Sequence, residues 1–229
     1  MSKLTRATLA EQAYVELQDQ IVSGRLPAGR RLFADRIADE LAISQTPVKE
    51  ALALLERDGL VQGTTRKASA VRRFTREDII EIYEARLLLE TNAIAVGRKA
   101  KRITPAFLDE LRRTHESQKM HAIRAMNRNA GDLAEALRFD REFHECIMRL
   151  TRNALMISWH RTILRQTQTI RTHSLETYNT PRSWQDHGQI LDALVAGDFA
   201  EATRVLRDHV NGSRDQLASR KQEDLPEIT

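Results

Sequence analysis

The sequence predicts a mainly α-helical chain of two parts, an N-terminal winged helix-turn-helix and a C-terminal antiparallel bundle of helices. Three observations carry that expectation. Apolar residues recur at helical spacing through most of the chain. Only nine Gly and five Pro occur among 229 residues, and most stand where a helix should stop. A single short stretch, after three short helices, departs from helical spacing and carries a basic turn.

The first helix is expected over 8–23, where Leu9, Ala13, Leu17 and Ile21 share a face and Gly24 ends the run. After the loop 25–29, a short helix over 34–41 puts Ile37, Ala38 and Leu41 together. A tight connection at Ala42–Ser44 leads into a third helix running to about Asp58, with Val48, Ala51, Leu52 and Leu55 on its apolar face. Ser44 or Thr46 can cap its start, and Pro47 is tolerated in a first turn, where its missing N–H is not needed. Leu60–Gln62, a turn at Gly63 with a basic tip, and Ala70–Val71 then read as a hairpin, the wing.

From Thr75 onward the pattern is helical throughout. Six helices are expected, over about 75–99, 104–129, 131–151, 153–174, 180–197 and 198–220, giving domains 1–75 and 76–229. No apolar run approaches the ~18–20 residues that span a bilayer, and the N-terminus lacks a secretory signal. Cys146 is the single cysteine, which excludes an intrachain disulfide framework and suits the reducing cytoplasm; two positions from His144, it reads as packing. Trp184 and the methionines also read as core.

Charge is mildly basic, +4 overall. Residues 1–75 hold twelve Lys/Arg against nine Asp/Glu, and the remainder twenty-four against twenty-three, so the excess lies in the smaller part, as contact with a polyanion requires. A DNA-reading helix places short polar and basic side chains in its first turn. Ser44, Gln45, Thr46 and Lys49 have that form: Gln45 suits adenine, Thr46 phosphate or a thymine methyl, Lys49 guanine or phosphate. Arg66 and Lys67 at the wing tip suit the minor groove or backbone, and Arg30, Arg31 and Arg36 suit phosphates.

The C-terminal helices break their own pattern. Asp140 and His144, four apart, project from a face that should be apolar, with Leu133, Leu137 and Ile147. His187 lies inward beside Ile190 and Leu191, and His209 beside Ala202 and Leu206. Buried ionisable groups are costly unless paired or bound to metal. Three imidazoles and a carboxylate converging in a bundle suit a divalent ion, Zn first, with Ni, Mn or Fe ahead of Ca or Mg. A helix ion pair and satisfied core histidines are the competing reading. His160, between Ile157 and Leu164, also falls on an apolar stripe, so spacing does not select four residues uniquely.

Residues 9–71 resemble the GntR family of bacterial regulators. LAEQAYVELQDQIVSGRLPAGRRL (9–32) and IADELAISQTPVKEALALLERDGLV (37–61) carry the likeness, and Ser44–Leu52 is similar to the family's Ser-Arg-Thr-Pro-Val-Arg-Glu-Ala-Leu. Gln45 and Lys49 replace the family's arginines, and Ala68 its wing glycine. Losing the guanidinium fork implies that the operator bases differ from the common pattern. EIYEARLLLE (81–90), FDREFHECIMRLTRNALM (139–156), DHGQILDALVAGD (186–198) and ATRVLRDHV (202–210) resemble the FCD ligand-binding domain of the FadR-type subfamily, and six helices rather than seven its VanR branch. The resemblance implies a homodimer on operator DNA, with metal ligands Asp140, His144, His187 and His209. It also implies a small organic acid effector, for which Arg86 is the clamp; an Arg86–Glu90 or Arg86–Asp140 pair is the structural alternative. Effector binding is then expected to move the first sensing helix against the linker near 72–78 and alter the spacing of the recognition helices. Two other functions remain open: a metal-ion sensor, and a metal-dependent hydrolase, for which the chain offers no separate general base.

Overall fold

A computed structural model describes residues 7–65, 68–126, 130–173 and 180–219. The chain divides into two compact units, and the first comprises 7–65, 68–75 and the short stretch 168–173.

In the first unit, α1 (Leu9–Val22) opens on a capping box, Thr8 with Glu11. Its buried stripe is Ala10, Ala13, Leu17 and Ile21. Leu9, expected in that stripe, is instead exposed, because the cap turns it outward at the first helical position. A strand β1 (Arg31–Phe33) precedes α2 (Ala34–Leu41), and α3 (Gln45–Arg57) follows a tight turn. Ala42 closes α2 in the left-handed region, φ 52°, which bends the chain into the helix-turn-helix without a glycine. Ser44 stands at the N-cap of α3, yet its side chain makes no capping hydrogen bond. The expected Ser44 cap is therefore not formed, and Thr46 lies inside the helix.

The wing consists of β2 (Val61–Thr65) and β3 (Ala68–Val71). It is completed by β1, giving an antiparallel sheet in the order β1-β3-β2, with Leu32 opposite Ser69 and Val61 opposite Val71. Three residues are too few to announce themselves by alternation, so β1 is found only through its pairing. Val48, Ala51 and Leu55 of α3 are fully enclosed and pack with Leu17, Ile21 and Ile37, which fixes the opposite face of α3 toward solvent.

The second unit holds α4 (Arg76–Lys99), α5 (Pro105–Ala125), α6 (Ala130–Arg149), α7 (Ala154–Thr172), whose end from Gln168 on groups with the first unit, α8 (Thr180–Val195) and α9 (Phe199–Ala218). Thr104 caps α5 with Pro105 at its first position, and Asp198 caps α9. The bundle core joins α4 to α9 and α6, α5 to α6 and α8, and α8 to α9. Gly97 lets α4 approach the residue that follows α6 closely: a Cβ there would lie 2.9 Å from Leu150 Cδ1. Met148 is core, but Met120 and Met126, expected inside, are 42% and 50% exposed. Met120 lies between the buried residues Gln118 and Ala122 but on the opposite side of the last turns of α5, and Met126 caps that helix. No helix among the described residues is long and apolar enough to cross a membrane.

A candidate metal centre and a candidate nucleic-acid interface

The buried face of α6 presents Asp140 and His144, α8 presents His187, and α9 presents His209; all four are buried, and their ligating atoms lie within 4.8 Å of one another. His160 stands apart from them. It is buried on α7, and its Nε2 donates to Glu90 Oε1 at 2.9 Å.

Every member of the cluster is held from outside. His144 Nδ1 donates to Glu90 Oε2 at 2.9 Å, and His209 Nδ1 to Asp186 Oδ2 at 3.1 Å. Gln118 Nε2 donates to Asp140 Oδ1 at 3.2 Å and to Ser183 Oγ at 3.3 Å. That orients its amide, so Gln118 Oε1 accepts from His187 Nδ1 at 2.6 Å. Ser183 Oγ donates to Asp140 Oδ1 at 2.6 Å. Phe143 stacks on the His187 ring with centroids 4.1 Å apart.

This arrangement fixes the tautomers. With each Nδ1 carrying its proton outward, the three Nε2 atoms direct lone pairs inward. The Nε2 of His187 stands 3.1 Å from that of His144 and 3.3 Å from that of His209. Between neutral rings so oriented these contacts are repulsive, not hydrogen bonds. Ligand nitrogens about 2.0–2.1 Å from one ion would stand roughly 3.0–3.4 Å apart, so the donor set fits a single small divalent ion.

Electrostatics point the same way. Burial, then the Arg86 guanidinium, lowers His144 to about 4 from an ordinary value of 6.5. Burial and the neighbouring His209 and His144 hold His187 well below its usual range. For Glu90, burial pushes upward, but Arg86 and the hydrogen bonds from His144 and His160 outweigh it and keep the carboxyl well below the usual range. Between the ordinary histidine value and about 4, the unfolded chain binds protons that the folded rings refuse. Folding therefore weakens as pH falls through that window. Melting in the presence of a chelator should show the loss between pH 7 and pH 5, on the order of 1–3 kcal/mol, and His144→Gln should flatten it. A profile independent of pH in the wild type would contradict the burial of neutral imidazoles.

Arg86 is wholly buried on α4 and its Nε donates to Glu90 Oε1 at 2.8 Å. Of the two structural pairings open from the sequence, Arg86–Glu90 is the one present. Its Nη1 and Nη2 have no partner among the described residues. Cys146 is buried on α6, where burial pushes its thiol up to about 11.

In the first unit, Ser44, Gln45, Thr46 and Lys49 are all exposed in the first turns of α3, and Arg30, Arg31 and Arg36 are exposed around β1 and α2. Arg36 lies over the Phe33 ring, 5.1 Å from its centre. Arg66 and Lys67 lie outside the described residues. Of the partners of the cluster, Glu90 entered the sequence reading only as a pairing for Arg86, and Gln118, Ser183 and Asp186 were not singled out. Glu90 alone left a signal, four residues after Arg86 on one face.

Comparison with known proteins accounts for both units. Residues 9–71 match the model of the bacterial regulatory proteins, gntR family, and residues 81–212 that of the FCD domain. The chain is 30% identical over 208 residues, 91% of its length and 88% of the relative's, to a probable D-xylose utilization operon transcriptional repressor of Paenarthrobacter nicotinovorans. It is 28% identical to a gluconate operon transcriptional repressor of Bacillus licheniformis, over 69% of this chain and 61% of that one. Among solved structures, Escherichia coli McbR/YncC superposes with a TM-score of 0.77 at 22% identity, covering 93% of this chain and 98% of that one.

Proposed function

The chain belongs to the gntR family of bacterial regulatory proteins and carries an FCD domain, a family of DNA-binding transcription regulators rather than enzymes, and from that premise we propose an operon repressor governed by a carboxylate effector at a metal centre. The hydrolase reading falls with that membership. The metal is assigned to Asp140, His144, His187 and His209, with Zn the first choice for a set of three nitrogens and one oxygen. When bound, the ion supplies a fixed positive charge in the bundle. Arg86 supplies the second anchor, since a guanidinium presents a planar fork that matches a carboxylate.

The observation that carries this reading is the set of three imidazole lone pairs aimed at one point, beside a buried guanidinium with both Nη atoms unpaired. Operator DNA is assigned to the exposed first turn of α3, through Ser44, Gln45, Thr46 and Lys49, with Arg30, Arg31 and Arg36 on phosphates and the wing-tip pair Arg66 and Lys67 beyond them. Repression draws support from relatives named as operon repressors. We place the protein in the cytoplasm with its DNA. A dimer built on the bundle is supported by large apolar side chains left in solvent, Leu88 on α4 and Leu155 and Trp159 on α7. Arg86 and Glu90 stand on α4, which follows the linker directly. A ligand that favours one position of α4 thereby biases the placement of the recognition helices.

The test titrates the full-length, chelator-treated protein on an operator selected from random duplexes. Metal alone is expected to leave operator affinity nearly unchanged. Metal followed by an organic acid is expected to reduce it roughly fivefold or more. Release by metal alone would make the ion itself the signal, and failure to select any sequence would overturn the regulatory reading.

A further inference from the structure

Glu56 is exposed on α3 and stands seven residues after Lys49, two turns on along the same helix face. A carboxylate there opposes the phosphates that Lys49 attracts, so its presence calls for a second role. Among the described residues, strand β2 lies at the edge of the sheet β1-β3-β2, and one side of its backbone has no strand beside it. Val61 is buried in the core, while Gln62 and Gly63 are exposed. Just where the strand leaves the core, the Gly63 N–H donates to Glu56 Oε1 at 3.2 Å. The carboxylate lies against the strand because position 63 has no Cβ; one built there would stand 3.2 Å from the same oxygen.

This bond falls where the hairpin changes register. Gly63 stands opposite Ser69, but Thr65 stands opposite Ala68, so β2 carries one extra residue between them. Such a bulge bends its strand and sharpens the local twist. The end of α3 is fixed from its other side as well. The Tyr14 hydroxyl of α1 donates to Asp58 Oδ2 at 2.6 Å. Gly59 then turns the chain at φ 70°, and the Leu60 N–H donates to the Leu55 carbonyl at 3.0 Å. The helix end is thus a rigid base, and Glu56 carries its orientation to the bulge.

We propose that Glu56 is a positioning residue for operator binding: it fixes the angle of the wing to α3, so that the recognition helix and the wing meet the duplex together. The inference rests on the operator reading above and adds a residue that acts through the wing. Its carboxylate works in two opposed ways. The charge repels phosphate, and the hydrogen bond preorganises the wing. Glutamine keeps the acceptor and loses the charge, whereas alanine loses both. The difference between those two variants therefore isolates the hydrogen bond.

Binding of the selected operator by the full-length protein, at one fixed salt concentration, tests this. Glu56→Gln should bind as tightly as the wild type or tighter, and Glu56→Ala about five- to tenfold more weakly than Glu56→Gln. Glu56 lies in solvent, away from the packed stripe of Val48, Ala51 and Leu55, so both variants should fold, and melting verifies it. In the background Arg66→Ala/Lys67→Ala, which removes the cations of the wing tip, the ratio between the two Glu56 variants should fall to about one. Equal affinity of Glu56→Gln and Glu56→Ala would overturn the proposal. So would an undiminished ratio in the tip background, which would place the effect in α3 itself. Wild-type affinity in the tip variant alone would overturn the wing contact, and with it the role of Glu56, while the recognition helix stands. Failure to select any operator would overturn the operator reading and this inference together.

Discussion

Replacing His187 by alanine should strip the bound metal from the protein. Its Nε2 is the central one of the three, within 3.3 Å of both other imidazole nitrogens, so its loss removes a ligand and opens the middle of the site. Four-ligand zinc sites hold their ion with about 10–16 kcal/mol in all. Removing one ligand is therefore expected to lower affinity on the order of a hundred- to a thousandfold, below retention through dialysis. His144→Ala should do the same. Gln118→Ala leaves all four ligands but frees the His187 ring and one oxygen of Asp140 from their common partner, so a smaller loss of about ten- to a hundredfold is expected. Metal analysis after dialysis, with a chromophoric chelator as competitor, ranks the three. Unchanged metal content in both histidine variants would sink the assignment, and a Gln118→Ala effect as large as a ligand's would show that orientation matters as much as donation.

The second large effect concerns DNA. Lys49→Glu should reduce operator affinity on the order of a hundredfold or more, because it removes a cation from the exposed first turns of α3 and sets a carboxylate against phosphate. Lys49→Ala should cost less, and the slope of affinity against salt decides its role. A drop in slope of about one identifies a phosphate contact, and a changed base preference at unchanged slope identifies a base contact. Gln45→Arg should move the preference at one position of each half-site from adenine toward guanine, since glutamine pairs with the N6/N7 edge of adenine and arginine with O6/N7 of guanine. Random-duplex selection with wild type and variant reads this directly. Retained specific binding by Lys49→Glu would mean that another surface reads the operator.

Both units were legible in the sequence where a local rule was enough. Glycines at positive φ, Gly24, Gly59 and Gly197, end elements as the spacing suggests, and the apolar stripe of α3 is buried throughout. Strand β1 was not legible, because three residues acquire strand character only by pairing with β3. In the sensing unit, spacing could place histidines inward without saying which of them meet. His160 shares the helical logic of the other three, yet it turns to Glu90 rather than to the cluster, and only packing between helices decides that. The same holds for Gln118 on α5 and Ser183 and Asp186 on α8, each of which orients an atom on another helix. An isolated Gln or Ser carries no sequence signal for such work. Met120 and Met126 erred in the opposite direction, because hydrophobicity alone does not distinguish a core face from a solvent face near the end of a helix.

Cys146 has a practical meaning that has nothing to do with regulation. Its thiol is buried and raised to about 11, so almost no thiolate exists at neutral pH to meet an alkylating reagent or a mild oxidant. The chain is thus silent toward thiol chemistry as it stands. A cysteine introduced at the exposed Ala53 of α3 would be the one site that takes up a nitroxide, without deletion of the native residue. In a dimer, two such labels would report the distance between recognition helices as a spectroscopic ruler, in solution and in the presence or absence of each candidate acid.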